Sequence, residues 1–157
     1  MTSPQTGPKA GPIHATAVAR YGPKGWSGVL LTGPSGSGKS DLALRLIGLG
    51  WRLVADDYCE VWASGGGLWA RAPGRIAGRI EARGLGIVPS AERPLARIAL
   101  VVRCGPEPVE RLPLPETTTV CGLTLPRLVL DTRPVSAANT VEAALKATLA
   151  GLDVAPL

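Results

Sequence analysis

Gly33-Pro34-Ser35-Gly36-Ser37-Gly38-Lys39-Ser40 is the stretch from which the rest of the chain is read. It fits Gly-x-x-x-x-Gly-Lys-Ser/Thr in the context that gives the pattern meaning: an apolar burst, Gly28 to Thr32, reads as a strand before it, and Asp41 to Leu49 reads as a helix after it. The glycines let backbone N–H groups converge on phosphate oxygens where a Cβ would collide, and the helix N-terminus adds its positive end at the same spot. Lys39 is expected as an exposed loop lysine that reaches the β and γ phosphates as a point charge, with the Ser40 hydroxyl as the usual Mg²⁺ ligand. The bland alternative is a glycine turn that binds nothing.

Outward from the loop, Ile13 to Arg20 is a second strand, separated from Gly28 to Thr32 by the turn residues Gly22-Pro23 and Gly25. Downstream, Leu42, Ala43, Leu46 and Ile47 fall at helical spacing, with Gly48 and Gly50 as stop signals. Leu53-Val54-Ala55 then leads into Asp56-Asp57, which arrive 16 and 17 residues after Ser40. That distance holds one helix and a return strand, so the acidic pair belongs at the carboxyl end of a strand, the functional edge of an open sheet. A Walker-B-like division of labour follows, one carboxylate for the metal or its waters and the other for a hydroxyl nucleophile, because adjacent strand residues point to opposite faces. A solvated turn is the competing account.

The rest alternates strands and turns. Tyr58 to Ala63 and Leu68 to Ala72 flank Ser64-Gly65-Gly66-Gly67 as a hairpin, and Arg97 to Arg103, with Ile98 to Val102 at its centre, is a buried strand. Thr117 to Leu125 reads as a hairpin turning at Cys121-Gly122, with Leu128 to Leu130 a further short strand. Pro73 to Val88 fits neither period well and reads mostly as functional loop, although Ile76, Ala77 and Ile80 would share a face in a short helix. Ser136 to Ala150 is the last helix, with Asn139 and Glu142 imitating a capping box. The expected fold class is α/β: a P-loop-containing, strand-rich mixed sheet with few helices.

Composition bounds the function. At 157 residues, with 45% hydrophobic and 18% charged, the chain has the length of one domain with its own core. Residues 1–12 read as a disordered tail, 13–151 as the domain and 152–157 as a short C-terminal tail. The net charge of +5 comes mostly from arginines scattered singly, without Lys/Arg runs or interleaved aromatics, so no nucleic-acid partner is expected. No apolar run is long enough to cross a bilayer and the first residues lack signal-peptide character, so no membrane is expected and the cytoplasm is the expected location. Cys59, Cys104 and Cys121 are widely spaced and form no Cys-x-x-Cys pair, which favours buried reduced thiols over a disulfide framework or a zinc site.

Four segments together resemble the bacterial HPr kinase/phosphorylases, whose kinase domain is distantly related in fold to phosphoenolpyruvate carboxykinase. They are His14 in the strand before the loop, Gly33 to Ser40, Leu53-Val54-Ala55-Asp56-Asp57, and Glu81-Ala82-Arg83-Gly84-Leu85-Gly86-Ile87, which is similar to the signature Glu-x-Arg-Gly-Leu-Gly-Ile/Val. The resemblance implies ATP-dependent phosphorylation of a serine on an HPr-like phosphocarrier of the phosphotransferase system, with reversal by phosphorolysis. It implies Asp57 as base and acid, Ser40 and Glu81 as Mg²⁺ ligands beside Asp56, Lys39 on the transferred phosphoryl group, His14 as an active-site histidine and Arg111 as an arginine that meets the phosphates. Arg83 clamps phosphate or pairs with a nearby carboxylate. Glu81 and Ser40 are then expected to converge on one cleft with Asp57.

The chain departs from that pattern in places. Arg111-Leu112-Pro113 stands where the family reads Arg-Leu-Gly, and Arg133-Pro134 is followed by Val135-Ser136-Ala137 instead of Gly-Arg-Asn. The stretch after the signature is reduced to Pro89-Ser90-Ala91-Glu92-Arg93. The expected form is the short, single-domain one, with a homo-oligomer compatible with it. A small-molecule kinase or NTPase, and a regulatory nucleotide-sensing module, are the alternatives; an intact Asp57 argues against a pure sensor, which needs no positioned base.

Overall fold

The structure, a computed structural model, describes residues 11–105 and 109–151. The expected tails at 1–12 and 152–157 fall almost wholly outside these residues. Among the described residues, ten strands and two helices follow in order: β1 (Ile13–Gly22), β2 (Gly25–Thr32), α1 (Lys39–Gly48), β3 (Arg52–Ala55), β4 (Tyr58–Ser64), β5 (Gly67–Arg71), β6 (Arg79–Ala82), β7 (Gly86–Pro89), β8 (Leu95–Cys104), β9 (Glu116–Val120), β10 (Leu123–Leu130) and α2 (Ala137–Leu149).

The central strands run β3-β1-β2-β8-β10-β9 by pairing, with β2–β8 and β8–β10 parallel and the other neighbours antiparallel. The β4–β5 hairpin closes the assembly by pairing with the start of β1 at Ile13 and His14 and with the start of β8 at Leu95 to Ile98. Both faces of the central strands are therefore covered, which explains why β1, β2 and β8 read as nearly continuous apolar runs.

Alternation sorts the side chains. Val18 on β1 and Val29 and Leu31 on β2 face α1 and α2, where they pack with Leu42, Leu46, Trp51, Val141 and Leu145. Ala15, Ala17, Ala19 and Leu30 face the hairpin and meet Val61, Leu68 and Ala70. Along β8 the parity changes: Ile98 and Val101 lie on the hairpin side, while Leu100 and Val102 lie on the helix side. A register shift against β2, where Gly28 pairs with Ile98 and Val29 with Leu100, inserts the extra residue that switches faces.

Helix α1 buries Leu42, Ala43 and Leu46 and ends in a Schellman arrangement. Gly50, at φ 98, donates to Ile47 O, and Trp51 N donates to Leu46 O, so the chain reverses and drops Trp51 into the core. The β9–β10 hairpin turns at Cys121 and Gly122, both with positive φ, as a primed two-residue turn does.

Three expectations are corrected. Pro73 to Val88 holds a hairpin where mostly loop was expected: Arg79–Ala82 and Gly86–Pro89 pair antiparallel within otherwise irregular chain, and Ile76, Ala77 and Ile80 form no helix. Only Ile80 of β6 enters the core, so one buried side chain carries the element and the periodic signal is too short to read. Leu128 to Leu130 is not a separate strand but the end of β10, whose Pro126 pairs with Thr117 on β9. Asn139 and Glu142 form no capping box; Ser136 is the N-cap of α2 and makes no side-chain cap bond, while Glu142 Oε1 accepts from Trp51 Nε1 (3.2 Å) and Arg20 Nε (3.3 Å).

Candidate functional site

Because β1 is antiparallel to both β2 and β3, the carboxyl ends of β2 and β3 and the first residues of β1 share one edge of the sheet. The Gly33–Ser40 loop leaves β2 there, Asp56 and Asp57 leave β3 there, and His14 and Thr16 enter between them on β1.

The loop feeds α1 through Gly38, whose φ of 89 leaves the first turn without a side-chain cap. A Cβ on Gly38 would run into Thr132 Oγ1, and that hydroxyl donates to Ser37 O at 2.8 Å, pinning the loop from the segment after β10. Arg45 on α1 reaches the same segment, donating to Thr132 O and to Pro134 O (3.0 Å). As at any helix start, the first N–H groups of α1 have no partner within the helix, and no side chain caps them.

Lys39 is not the exposed residue expected: it is 5% exposed, and its ammonium donates to Gly33 O (2.8 Å) and Pro34 O (3.0 Å), folded back on its own loop. Burial pulls its pKa below the ordinary lysine value, opposed by Cys104, Asp57 and Asp56 nearby. The same burial pushes the Cys104 thiol up to about 12.

The aspartates diverge sharply. Asp56 is buried: its Oδ1 accepts from Ser40 Oγ (2.6 Å) and Thr16 Oγ1 (3.1 Å), and its Oδ2 accepts from the Glu81 backbone N–H (3.0 Å). Asp57 points outward, its side chain 59% exposed, with Oδ1 2.8 Å from His14 Nε2. The two do serve different surroundings, but strand alternation is not the cause. Strand β3 ends at Ala55, and Asp57 turns away because its backbone adopts φ 68, the left-handed region. His14 also meets the Tyr58 ring, its cross-strand partner, at 5.6 Å between centroids.

The β6–β7 hairpin brings Glu81 to this edge through its bond to Asp56, with an exposed side chain. Ser40 and Asp56 offer a hydroxyl and a carboxylate in contact, oxygen donors of the kind a hard cation takes, and Glu81 is tied to them through its backbone N–H. Among the described residues no three His, Cys, Asp or Glu side chains cluster as a metal site. Arg83 sits at the hairpin tip and Arg111 in the irregular segment before β9; both are exposed, and among the described residues neither is hydrogen-bonded or ion-paired to the site. Arg133 is engaged with Asp131 (2.9 Å).

Thr16 and Thr132 escape a reading by motif. The available signal for Thr16 is a hydroxyl residue set among apolar neighbours two positions after His14; Thr132 gives none.

A family model, the HPr Serine kinase C-terminal domain, matches residues 11–93, the span that holds His14, the glycine loop, both aspartates and the β6–β7 hairpin. The chain belongs to this family. Relatives include the HPr kinase/phosphorylase of Halalkalibacterium halodurans, 38% identical over 135 residues, and that of Geobacillus thermodenitrificans, 39% identical over 135 residues. Each alignment covers 78% of this chain and 42% of the relative, so the chain spans about two-fifths of their length. The HPr kinase/phosphorylase of Clostridium tetani is 45% identical over 76 residues, covering 48% of this chain and 24% of that one. Among solved structures, the Hpr(Ser) kinase/phosphatase from Coxiella burnetii superposes with a TM-score of 0.73 at 25% identity, covering 90% of this chain and 91% of that chain. The mixed, strand-rich α/β fold with few helices is thus shared with HPr kinase/phosphatase.

Proposed function

We propose that this member of the HPr serine kinase C-terminal domain family is an ATP-dependent protein serine kinase, and phosphorylase in reverse, acting on an HPr-type phosphocarrier. The observation that carries the reading is the junction at Asp56, where Ser40 from the glycine loop and Glu81 from the signature hairpin meet one carboxylate while Asp57 stands exposed beside it. A nucleotide loop alone would fit many NTPases. A nucleotide loop joined to the signature hairpin beside an outward carboxylate fits transfer to a hydroxyl.

In this reading Gly33 to Ser40 is a phosphate loop, and the kinase domain is of the phosphoenolpyruvate carboxykinase-like kind. The loop's N–H groups and Lys39 hold the β and γ phosphates, for which the ammonium exchanges Gly33 O and Pro34 O for phosphate oxygens. Ser40, Asp56 and Glu81 would hold Mg²⁺, which would neutralise charge on the phosphate oxygens. Asp57 takes the proton of the incoming serine hydroxyl as its oxygen bonds to the γ phosphorus and the bond to the ADP oxygen breaks; in phosphorolysis an oxygen of inorganic phosphate bonds to the phosphoserine phosphorus, the bond to the serine oxygen breaks, and Asp57 returns the proton to that oxygen as pyrophosphate forms. His14, bonded to Oδ1, fixes that carboxylate's orientation and leaves Oδ2 for the serine. Arg83 and Arg111 meet the phosphates from the rim. The cytoplasm, where such a carrier and ATP meet, is the proposed location; among the described residues no helix is long and apolar enough to cross a membrane.

The test is direct. Purified protein incubated with Mg·ATP and candidate HPr-like carriers should yield phosphoserine on the carrier, detected by intact mass. ATP consumption with every carrier unmodified would replace the kinase reading with an NTPase one.

A further inference from the structure

We infer that Thr16 is a positioning residue that sets both aspartates at once, an assignment that rests on the kinase reading above for its catalytic consequence. Within β1, Thr16 is 0% exposed, the most deeply buried polar side chain among the described residues, at a position where its face-mate Val18 packs with the aliphatic core. An apolar residue of the same shape would suit that core. A hydroxyl there needs partners, because a buried polar group without them is costly.

The partners are specific. The Asp57 backbone N–H lies 3.1 Å from Thr16 Oγ1, and since an N–H can only donate, the hydroxyl oxygen is the acceptor. The hydroxyl's own proton is thereby directed to its other neighbour, Asp56 Oδ1, at 3.1 Å. One side chain therefore reads the metal-side carboxylate and the backbone of the base. On Asp56, the bond adds to those from Ser40 and Glu81 N–H and locks the carboxylate plane. On Asp57, it holds a non-glycine residue at φ 68, a conformation that persists only where the surroundings over-determine it. Ala15 N–H, donating to Asp57 O at 3.0 Å, supplies the second anchor from the same strand, and His14 fixes the side chain. Three consecutive residues of β1 thus fix the backbone and side chain of Asp57, and the central one also ties it to Asp56.

Thr16→Val keeps the volume and removes both bonds; Thr16→Ser keeps both bonds and removes a methyl. With Val, the Asp57 N–H loses its acceptor, so its amide hydrogen exchange, followed by NMR, should accelerate roughly tenfold or more while Ala17 and Ala19 stay protected. The kcat for phosphotransfer to the carrier should fall on the order of 10-fold or more, with KM for ATP within about twofold, because a displaced base costs rate and leaves the phosphate loop intact. Thr16→Ser should restore exchange protection and most of kcat. Unchanged exchange at Asp57 and unchanged kcat in Thr16→Val would overturn the assignment, as would equal losses in the Val and Ser variants, which would mark Thr16 as packing. A wild-type protein inactive on every carrier would count against the kinase reading; the exchange data on Val and Ser would still decide what Thr16 holds.

Discussion

In the proposed reaction Asp57 concentrates the chemistry in one backbone turn. Its outward carboxylate, held by His14 at 2.8 Å, is separated from the buried Asp56 by a single peptide, so the two are distinguishable by substitution. Asp57→Asn keeps size and loses proton affinity; Mg·ATP should still bind with near wild-type affinity by calorimetry, while phosphotransfer falls roughly 100-fold or more. Equal loss of affinity and rate would make Asp57 a metal ligand and move the base to Asp56. Lys39→Ala should abolish ATP use and leave the fold intact by circular dichroism, since the ammonium bonds only to groups of its own loop and its burial already works against its charge. The cysteines provide a check on burial independent of function. Burial pushes Cys59 and Cys104 each up to about 12, so neither forms the reactive thiolate near neutral pH, and only the half-buried Cys121 should react with iodoacetamide in the native protein, giving one adduct per chain by mass spectrometry.

The β6–β7 hairpin is held by little yet placed at the centre of the site. Ile80, 1% exposed, is its one fully buried core side chain, with Val88 half-buried against the same core, and the Glu81 N–H bond to Asp56 is its tie to the sheet edge. Ile80→Ala should therefore lower stability by about 2–5 kcal/mol in urea unfolding, the range for a buried aliphatic cut to Ala. Glu81→Gln keeps the backbone bond and changes only the donor, so stability should hold while the Mg²⁺ concentration needed for activity rises, with partial recovery in Mn²⁺. Unaltered Mg²⁺ dependence would remove Glu81 from the metal. This element was the least legible in the sequence for a physical reason: with one buried residue in the four of β6 and a three-residue turn, Arg83-Gly84-Leu85, it has neither a full alternation nor a two-residue turn motif. The glycine loop and α1 were legible because local geometry alone dictates them. The aspartates' carboxyl-edge position was also legible, but their divergence came from the left-handed turn at Asp57, which no strand rule contains.

At the scale of the whole molecule, the site is assembled from segments far apart in sequence: the start of β1, the loop after β2, the turn after β3, the β6–β7 hairpin and the Thr132 segment after β10. Strand spacing along the chain could not show that β1 would stand antiparallel between β2 and β3, the pairing that brings His14 and Thr16 to the aspartates. It also could not show the β4–β5 hairpin closing on both β1 and β8, because long-range pairing depends on which faces remain apolar once the helices are seated. A ligand that bridges these segments binds the folded chain and not the unfolded one, so it must raise stability by mass action. At Mg·ATP about 100-fold above its dissociation constant the gain is about 2.7 kcal/mol, and for a chain of this size that corresponds to a rise in melting temperature of roughly 5–10 °C. ATP without Mg²⁺ should give a smaller rise, since Ser40, Asp56 and Glu81 then contribute no shared cation, and Lys39→Ala should give almost none. A full shift in Lys39→Ala would mean that the nucleotide is held somewhere other than the Gly33–Ser40 loop, and the functional reading built on that loop would go with it.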